Sequence, residues 1–263
     1  MNGDIRILIS ADFHSGHILR LAPPELHTRK TRPFALPLWN YWTETAKALG
    51  RVDIHVFNGD LADGPGKKET LGLITTDVEE QADMAAEGAR VFRADHRYIT
   101  YGTNFHSVST LSHENLVAKA LGCEIFETLR IKVRGVRLNF RHVVGRSDIP
   151  YGQTTQIYKE VVREELISLI EGYDAADVIG RSHVHYDFEV RHRNKRAFTT
   201  PCMQLPNPDK DGHIYARGLR TQYYDVGAGT LITITKDSEV TTRPLLMDLR
   251  LAIKREYQCP VKE

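Results

Sequence analysis

Seven residues with side chains able to bind metal ions stand at or just past the end of an apolar run: Asp12, His14, Asp60, Asn104, His142, His183 and His185. Two carboxylates, four imidazoles and an amide offer the nitrogen and oxygen donors that borderline divalent cations accept, enough for two ions with one carboxylate shared. Asp12 and His14 stand two positions apart, as do His183 and His185. On extended backbone such pairs project from one face, so Asp12 and His14 can grip a single ion where their strand ends. One such triplet is common by chance, and a lone strand histidine such as His142 is usually structural. What gives the set its weight is that every member sits at a strand end.

The elements that must position them follow from periodicity and punctuation. Residues 5–10 form an apolar strand that runs into Asp12. Residues 52–58 form a second strand and deliver Gly59-Asp60-Leu61-Ala62-Asp63-Gly64 into a loop, and the carboxyl end of a strand is where open α/β sheets place ligands. A third strand over 97–101 leads into Gly102-Thr103-Asn104-Phe105-His106. Residues 129–133 and 136–141 alternate around Arg134-Gly135, a hairpin signal, and the second strand ends at His142. A buried strand over 176–180 leads into Arg181-Ser182-His183-Val184-His185. Helices are expected over 38–50, closed by Gly50, over 76–94, over 112–121, and over 156–171; Ser112 is the N-cap of the third, with Glu114 in its first turn. Beyond residue 186 the chain reads as strands over 187–191, 197–200, 222–226 and 231–236. Alternating strand and helix followed by mostly strand predicts an α/β fold with two sheets packed face to face and helices outside.

Taken in order, these motifs resemble the calcineurin-like metallophosphoesterase family, which carries Asp-x-His, Gly-Asp, Gly-Asn-His, a lone His and Gly-His-x-His. Here Asp12/His14, Gly59-Asp60, Asn104, His142 and His183/His185 answer them, and Asp63 fits the family's Gly-Asp-x-x-Asp. The resemblance implies a four-layer α/β/β/α sandwich of two mixed sheets, with residues 1–263 as one catalytic domain. It implies Asp12, His14, Asp60 and His185 around one metal, and Asp60, Asn104, His142 and His183 around the other, with Asp60 as the bridge. Two positions depart from the pattern. Ser182 replaces the glycine before His-x-His, and Gly102-Thr103-Asn104-Phe105-His106 carries one extra residue before its histidine. Either Asn104 is the ligand, or His106 takes its place. The Gly-Thr-x-x-His form resembles phage-encoded members of the family. With Asn104 as ligand, His106 is the candidate that protonates the departing alkoxide.

Two divalent ions about 3.5–4 Å apart can acidify a bridging water and present it as hydroxide in line with phosphorus. The expected function is therefore phosphoester hydrolysis, as a phosphodiesterase acting on nucleotides or nucleic acid. A phosphomonoesterase for small molecules and a metal-holding scaffold without activity are the alternatives. Manganese is the first candidate metal, and iron, zinc and nickel accept the same donors. Arg191, Arg193, Lys195 and Arg196, like Arg29, Lys30 and Arg32, could track a phosphate backbone or simply be solvated. Trp39 and Trp42 share a helical face, as core anchors or as an aromatic wall near the site. A formal net charge of +1 gives the whole molecule no field that would select nucleic acid or a membrane. Three widely spaced cysteines, without a Cys-x-x-Cys pair, argue against a disulfide framework or a thiolate zinc site. With no apolar run long enough to span a bilayer and no signal-like start, a cytoplasmic protein is expected.

Overall fold

The computed structural model describes residues 3–64, 72–103, 112–147, 149–205 and 225–249. Among the described residues, eleven strands form two sheets. The six-stranded sheet contains β1 (Ile5–Ser10), β2 (Val52–Asn58), β3 (Ala94–Thr100), β4 (Glu124–Phe126), β10 (Gly227–Ile234) and β11 (Val240–Leu246), in the order β11-β10-β1-β2-β3-β4. The five-stranded sheet contains β5 (Leu129–Val133), β6 (Val136–Phe140), β7 (Val178–Arg181), β8 (Glu189–His192) and β9 (Lys195–Thr199), in the order β5-β6-β7-β9-β8. Both sheets are mixed. β1, β2 and β3 run parallel in the first, and β6, β7 and β9 in the second.

Strand alternation decides the layering. Ile7 and Ile9 of β1 point inward with Ile54 and Val56 of β2, where they meet Leu138, Phe140, Val178 and Phe198 of the other sheet. Leu8 and Phe57 point outward and are covered by α1 (Arg32–Leu49), α2 (Val78–Arg90) and α3 (His113–Leu121) through Leu38, Trp42, Ala85, Ala89 and Val117. On the far side, α4 (Pro150–Glu171) lays Ile157 and Val161 against Ile179 and Ala197. The result is the expected α/β/β/α sandwich, since a sheet with two apolar faces is stable only when both are covered. Trp42 proves to be a core anchor. It is fully buried, packs edge-on against Phe13 and Phe92, and donates its indole N–H to Gly88 O at 2.8 Å.

Element boundaries differ from expectation in physically simple ways. α1 starts at Arg32 rather than residue 38, because Pro33 occupies the first turn, where no backbone N–H is needed. Pro37 lies inside the helix, past its first turn, and the helix continues through it. α4 likewise begins six residues early, at Pro150. β11 was not anticipated: Val240–Leu246 includes Pro244 and four exposed positions, which is tolerable on the outermost strand of a sheet. Residues 222–224 of the expected 222–226 strand lie outside the described residues, and Val226 makes only an isolated bridge to Cys202. Among the described residues no helix is long and apolar enough to cross a membrane.

α4 is fastened to its sheet by charge as well as by apolar contact. Glu160 Oε2 accepts from Arg141 Nη2 and Arg181 Nε, both at 2.7 Å, and Glu164 takes both Nη groups of Arg130 at 2.7 and 2.8 Å. Arg181 is only 3% exposed; burial lowers its guanidinium to about 10, against the opposing pull of Glu160. Removing one partner of a buried ion pair strands the other charge. Glu160→Ala is therefore expected to destabilise the fold by about 3–5 kcal/mol in urea unfolding, whereas exposed Lys159→Ala should change it by less than about 0.5 kcal/mol.

Candidate metal centre

All the described candidate ligands follow strands whose carboxyl ends meet at one edge of the sandwich. Asp12 and His14 follow β1, Asp60 follows β2, His142 follows β6, and His183 and His185 follow β7. They assemble into two groups, Asp12/His14/His185 and Asp60/His142/His183, in each of which one potential ligand atom per residue lies within 4.8 Å of the others. Asn104 and His106 lie outside the described residues.

The route by which they converge differs from the sequence expectation. Asp12, His14, Asp60, His183 and His185 all have positive φ, between 46° and 72°, so the paired ligands do not share a face of extended backbone. β1 stops at Ser10 and β7 at Arg181. Left-handed backbone is uncommon for residues other than glycine, costs of the order of 1–3 kcal/mol each, and gathers at functional sites. It turns each side chain inward from a loop instead of along a strand.

Hydrogen bonds between the loops hold this conformation. Asp12 N donates to Gly59 O at 3.1 Å, His14 N to Asp60 O at 3.0 Å, and Ser15 N to Leu61 O at 2.9 Å, extending the β1–β2 pairing past the strands themselves. Ser182 N donates to His142 O at 2.9 Å in the other sheet, and His183 N donates across to Asp12 Oδ2 at 3.2 Å. Asn58, the last residue of β2, ties the two sheets together: its amide donates to Arg141 O at 3.1 Å and Ser182 Oγ at 2.7 Å, while Thr100 Oγ1 donates to its Oδ1 at 2.8 Å. The serine that departs from the family's glycine is thus used, its hydroxyl lying between Asn58 and Thr200. Gly59 and Gly102 let the loops approach. A Cβ on Gly59 would lie 2.7 Å from His142 Nδ1, and one on Gly102 would overlap the Asp60 carboxylate.

Within the first group, Asp12 Oδ1 stands 3.0 Å from His185 Nε2 and 3.7 Å from His14 Nε2, and the two imidazole nitrogens are 3.3 Å apart. Donors bound to one ion at 2.0–2.2 Å are separated by about 3–3.6 Å, so this triangle has the dimensions of a coordination edge set. In the second group, His142 Nδ1 lies 2.6 Å from Asn58 O, a carbonyl that can only accept, so the proton sits on Nδ1. Nε2 is buried and faces Asp60 Oδ2 at 3.0 Å. With Nδ1–H committed to Asn58 O, Nε2 and the carboxylate it faces need a cation between them, a metal ion or, in its absence, the proton of an imidazolium, and the backbone bond to Nδ1 is the usual way a metal-binding histidine is oriented. The residues therefore fit metal ions.

Electrostatics agree. Burial opposes ionisation of Asp12, but His185 and His142 overcome it and hold the carboxyl well below its usual range. Burial also opposes charging of His142, yet Asp60 and Asp12 raise it to about 9. Burial lowers His183, as does the neighbouring charge of His142. Asp12, His14, Asp60 and His142 are at most 3% exposed, while His183 and His185 are partly open, so the centre faces solvent on the β7 side.

Several residues outside the ligand set support it. Thr103 gives Asp60 Oδ1 its amide at 2.6 Å and its hydroxyl at 3.1 Å. Glu114, expected only to complement a helix N-terminus, is 2% exposed and accepts Asp60 N at 3.2 Å; burial and the charge of Asp60 raise its carboxyl despite the Ser112 hydroxyl. Asp63 pairs with Arg20 and reaches within 3.7 Å of His14 Nδ1. The basic run after His185 resolves largely into structure: Arg191 and Arg196 bind Glu189, and Lys195 Nζ donates to Ala176 O at 2.8 Å.

No protein-family profile matches the sequence, and no curated protein does. Among solved structures the chain is similar to an archaeal phosphodiesterase (11% identity, 92% of this chain and 100% of the other, TM-score 0.45) and to the phosphoesterase Yfce of E. coli (13%, 92% and 100%, 0.44). It is also similar to Vps29 of Entamoeba histolytica complexed with zinc (15%, 91% and 97%, 0.41).

Two outcomes follow for the metal-free chain. His142 titrates higher when folded than its ordinary 6.5, so its stabilisation is full below pH 6.5 and fades as pH rises through about 9. The unfolding free energy measured in urea should fall over that window by of the order of 3 kcal/mol, and the fall should be absent in His142→Gln. Gly102→Ala, by displacing the Asp60 carboxylate, should weaken zinc or manganese binding at least tenfold in calorimetry while leaving far-ultraviolet dichroism unchanged.

Proposed function

We propose that the chain is a hydrolase dependent on two divalent metal ions, and within that class a phosphoesterase. The observation that carries this reading is the buried His142 Nε2, its tautomer set by Asn58 O, facing Asp60 Oδ2 at 3.0 Å beside a second donor triangle. Asp12, His14 and His185 would hold one ion and Asp60, His142 and His183 the other, with Asp60 shared and Asn104 or His106 completing the second. Asp12 Oδ1, 3.9 Å from His142 Nε2, also reaches toward the second group. When bound, such a pair supplies Lewis acidity and a water acidified towards neutrality.

The chain's own residues supply orientation and proton traffic. Thr103 fixes the Asp60 carboxylate, Glu114 holds the Asp60 backbone N–H, and Asn58 fixes His142, so neither ligand need reorganise during turnover. Asp12 stays ionised because of its imidazole neighbours. The partly open His183 and His185 leave the approach for an anionic phosphoester. With two cations against two carboxylates and a hydroxide, the centre retains about one positive charge to meet it. His106 is the proton donor to the leaving alkoxide. A diester of the nucleotide or nucleic-acid class is the substrate, on the resemblance of Gly102-Thr103-x-x-His106 to phage-encoded members, and manganese is the first metal to supply.

Bis-p-nitrophenyl phosphate should be hydrolysed faster than p-nitrophenyl phosphate with manganese present, and Asp60→Asn should lower kcat/KM by at least about 100-fold, some 2.7 kcal/mol of transition-state stabilisation. Absence of metal-stimulated hydrolysis of either ester would overturn the reading. His106→Ala should keep its metal content and lose most turnover on alkyl esters but little on p-nitrophenyl esters, whose leaving group needs no proton.

A further inference from the structure

A second charged cavity lies at the opposite end of the six-stranded sheet. It has a volume of about 660 Å³ and is bounded by the last turns of α1, the end of α2 and the start of β3. Four cations line it, Lys47, Arg51, Arg93 and Arg97, against one carboxylate, Asp95. That is a surplus of three positive charges in a chain whose formal net charge is +1, so the cavity concentrates charge rather than reflecting composition.

These cations are little compensated. Arg51 pairs with Asp95. Among the described residues no carboxylate lies in ion-pair range of Lys47, Arg93 or Arg97. Arg97 donates Nη2 to Phe92 O at 2.9 Å, and its buried Nε has no acceptor. Burial and the Arg97 charge together hold nearby His55 well below its usual range. The basic hairpin after His185 behaves differently, since there Glu189 and backbone carbonyls consume the charges. Lys47 complements the C-terminus of α1, but that does not account for Arg97, which shares a face of β3 with Asp95.

We propose that this cavity is a binding site for a compact, multiply charged phosphate anion, separate from the metal centre. Guanidinium forks match phosphate oxygens, and three residues with free donors converge on a space within the range of small-ligand pockets. β2 and β3 begin at this cavity and end at the metal centre, which sets the two about 20 Å apart, the length of a seven-residue strand. The proposal does not rest on the phosphoesterase reading.

The test is calorimetric titration of inorganic pyrophosphate into the full chain, stripped of metal on a chelating resin, at about 50 and 200 mM salt. One equivalent should bind, more weakly at the higher salt. Lys47→Glu/Arg93→Glu should weaken binding at least tenfold, and Asp60→Asn should bind as the parent chain does. Both reversed residues are exposed, and dichroism with the urea midpoint checks their folding; Lys47→Gln, expected to weaken binding about threefold, serves if the double variant fails to fold. No binding by the parent chain, equal binding by the folded double variant or by Lys47→Gln, or loss of binding in Asp60→Asn would each overturn the proposal.

Discussion

The geometry of the candidate metal centre depends on Asn58. It closes β2, and from that one position its carbonyl accepts a hydrogen bond from His142 Nδ1–H while its amide donates to Arg141 O and Ser182 Oγ of the other sheet. Two sheets joined only by apolar packing could slide by fractions of an ångström at little cost, because dispersion contacts are individually weak and not directional. Hydrogen bonds buried at the sheet edge are directional, and in a low-dielectric interior breaking one exposes a polar group to no partner. Asn58 thereby fixes the distance between carboxylates from one sheet and imidazoles from the other.

The same edge carries the strain. Five ligand candidates hold left-handed backbone, a conformation that the surrounding hydrogen bonds impose rather than one their side chains favour. The strands just beneath are among the most completely buried parts of the chain, with Ile7, Leu8, Ile9, Val56, Phe57 and Phe140 at 0% exposure. Stability is concentrated in the strands and spent at their ends, the division of labour expected where a rigid scaffold positions a reactive site.

Much of this was legible in the sequence, and the limits have identifiable causes. The apolar runs before Asp12, Asp60, His142 and His183 gave the strands, and the change from alternating strand and helix to mostly strand gave two sheets. The positive φ values were invisible, because Asp and His carry no signature for left-handed backbone in a loop, and extended geometry was the natural assumption for residues two apart. Glu114 was read from its place in a helix's first turn, which is correct for the backbone and silent about where the side chain is buried. Asn58 and Thr103 act through hydrogen bonds across the two sheets and to another strand's loop, partners that no local pattern identifies. Gly59 and Gly102 stood in their motifs from the outset, but only the approach of the neighbouring loops explains why a side chain there is excluded.

The strand order also bears on how the chain reaches this state. β1 lies between β2 and β10, and Ile5 is in register with Ile234, so the strand that introduces Asp12 and His14 completes its pairing only with residues more than two hundred positions later. Contacts of such sequence separation form slowly, since loop-closure entropy must be met before they contribute. On a ribosome, the amino-terminal half emerges with β1 paired on one side only, and the donors at its tip stay apart from those after β7 until most of the polypeptide has been made. The centre therefore matures as a late product of chain closure.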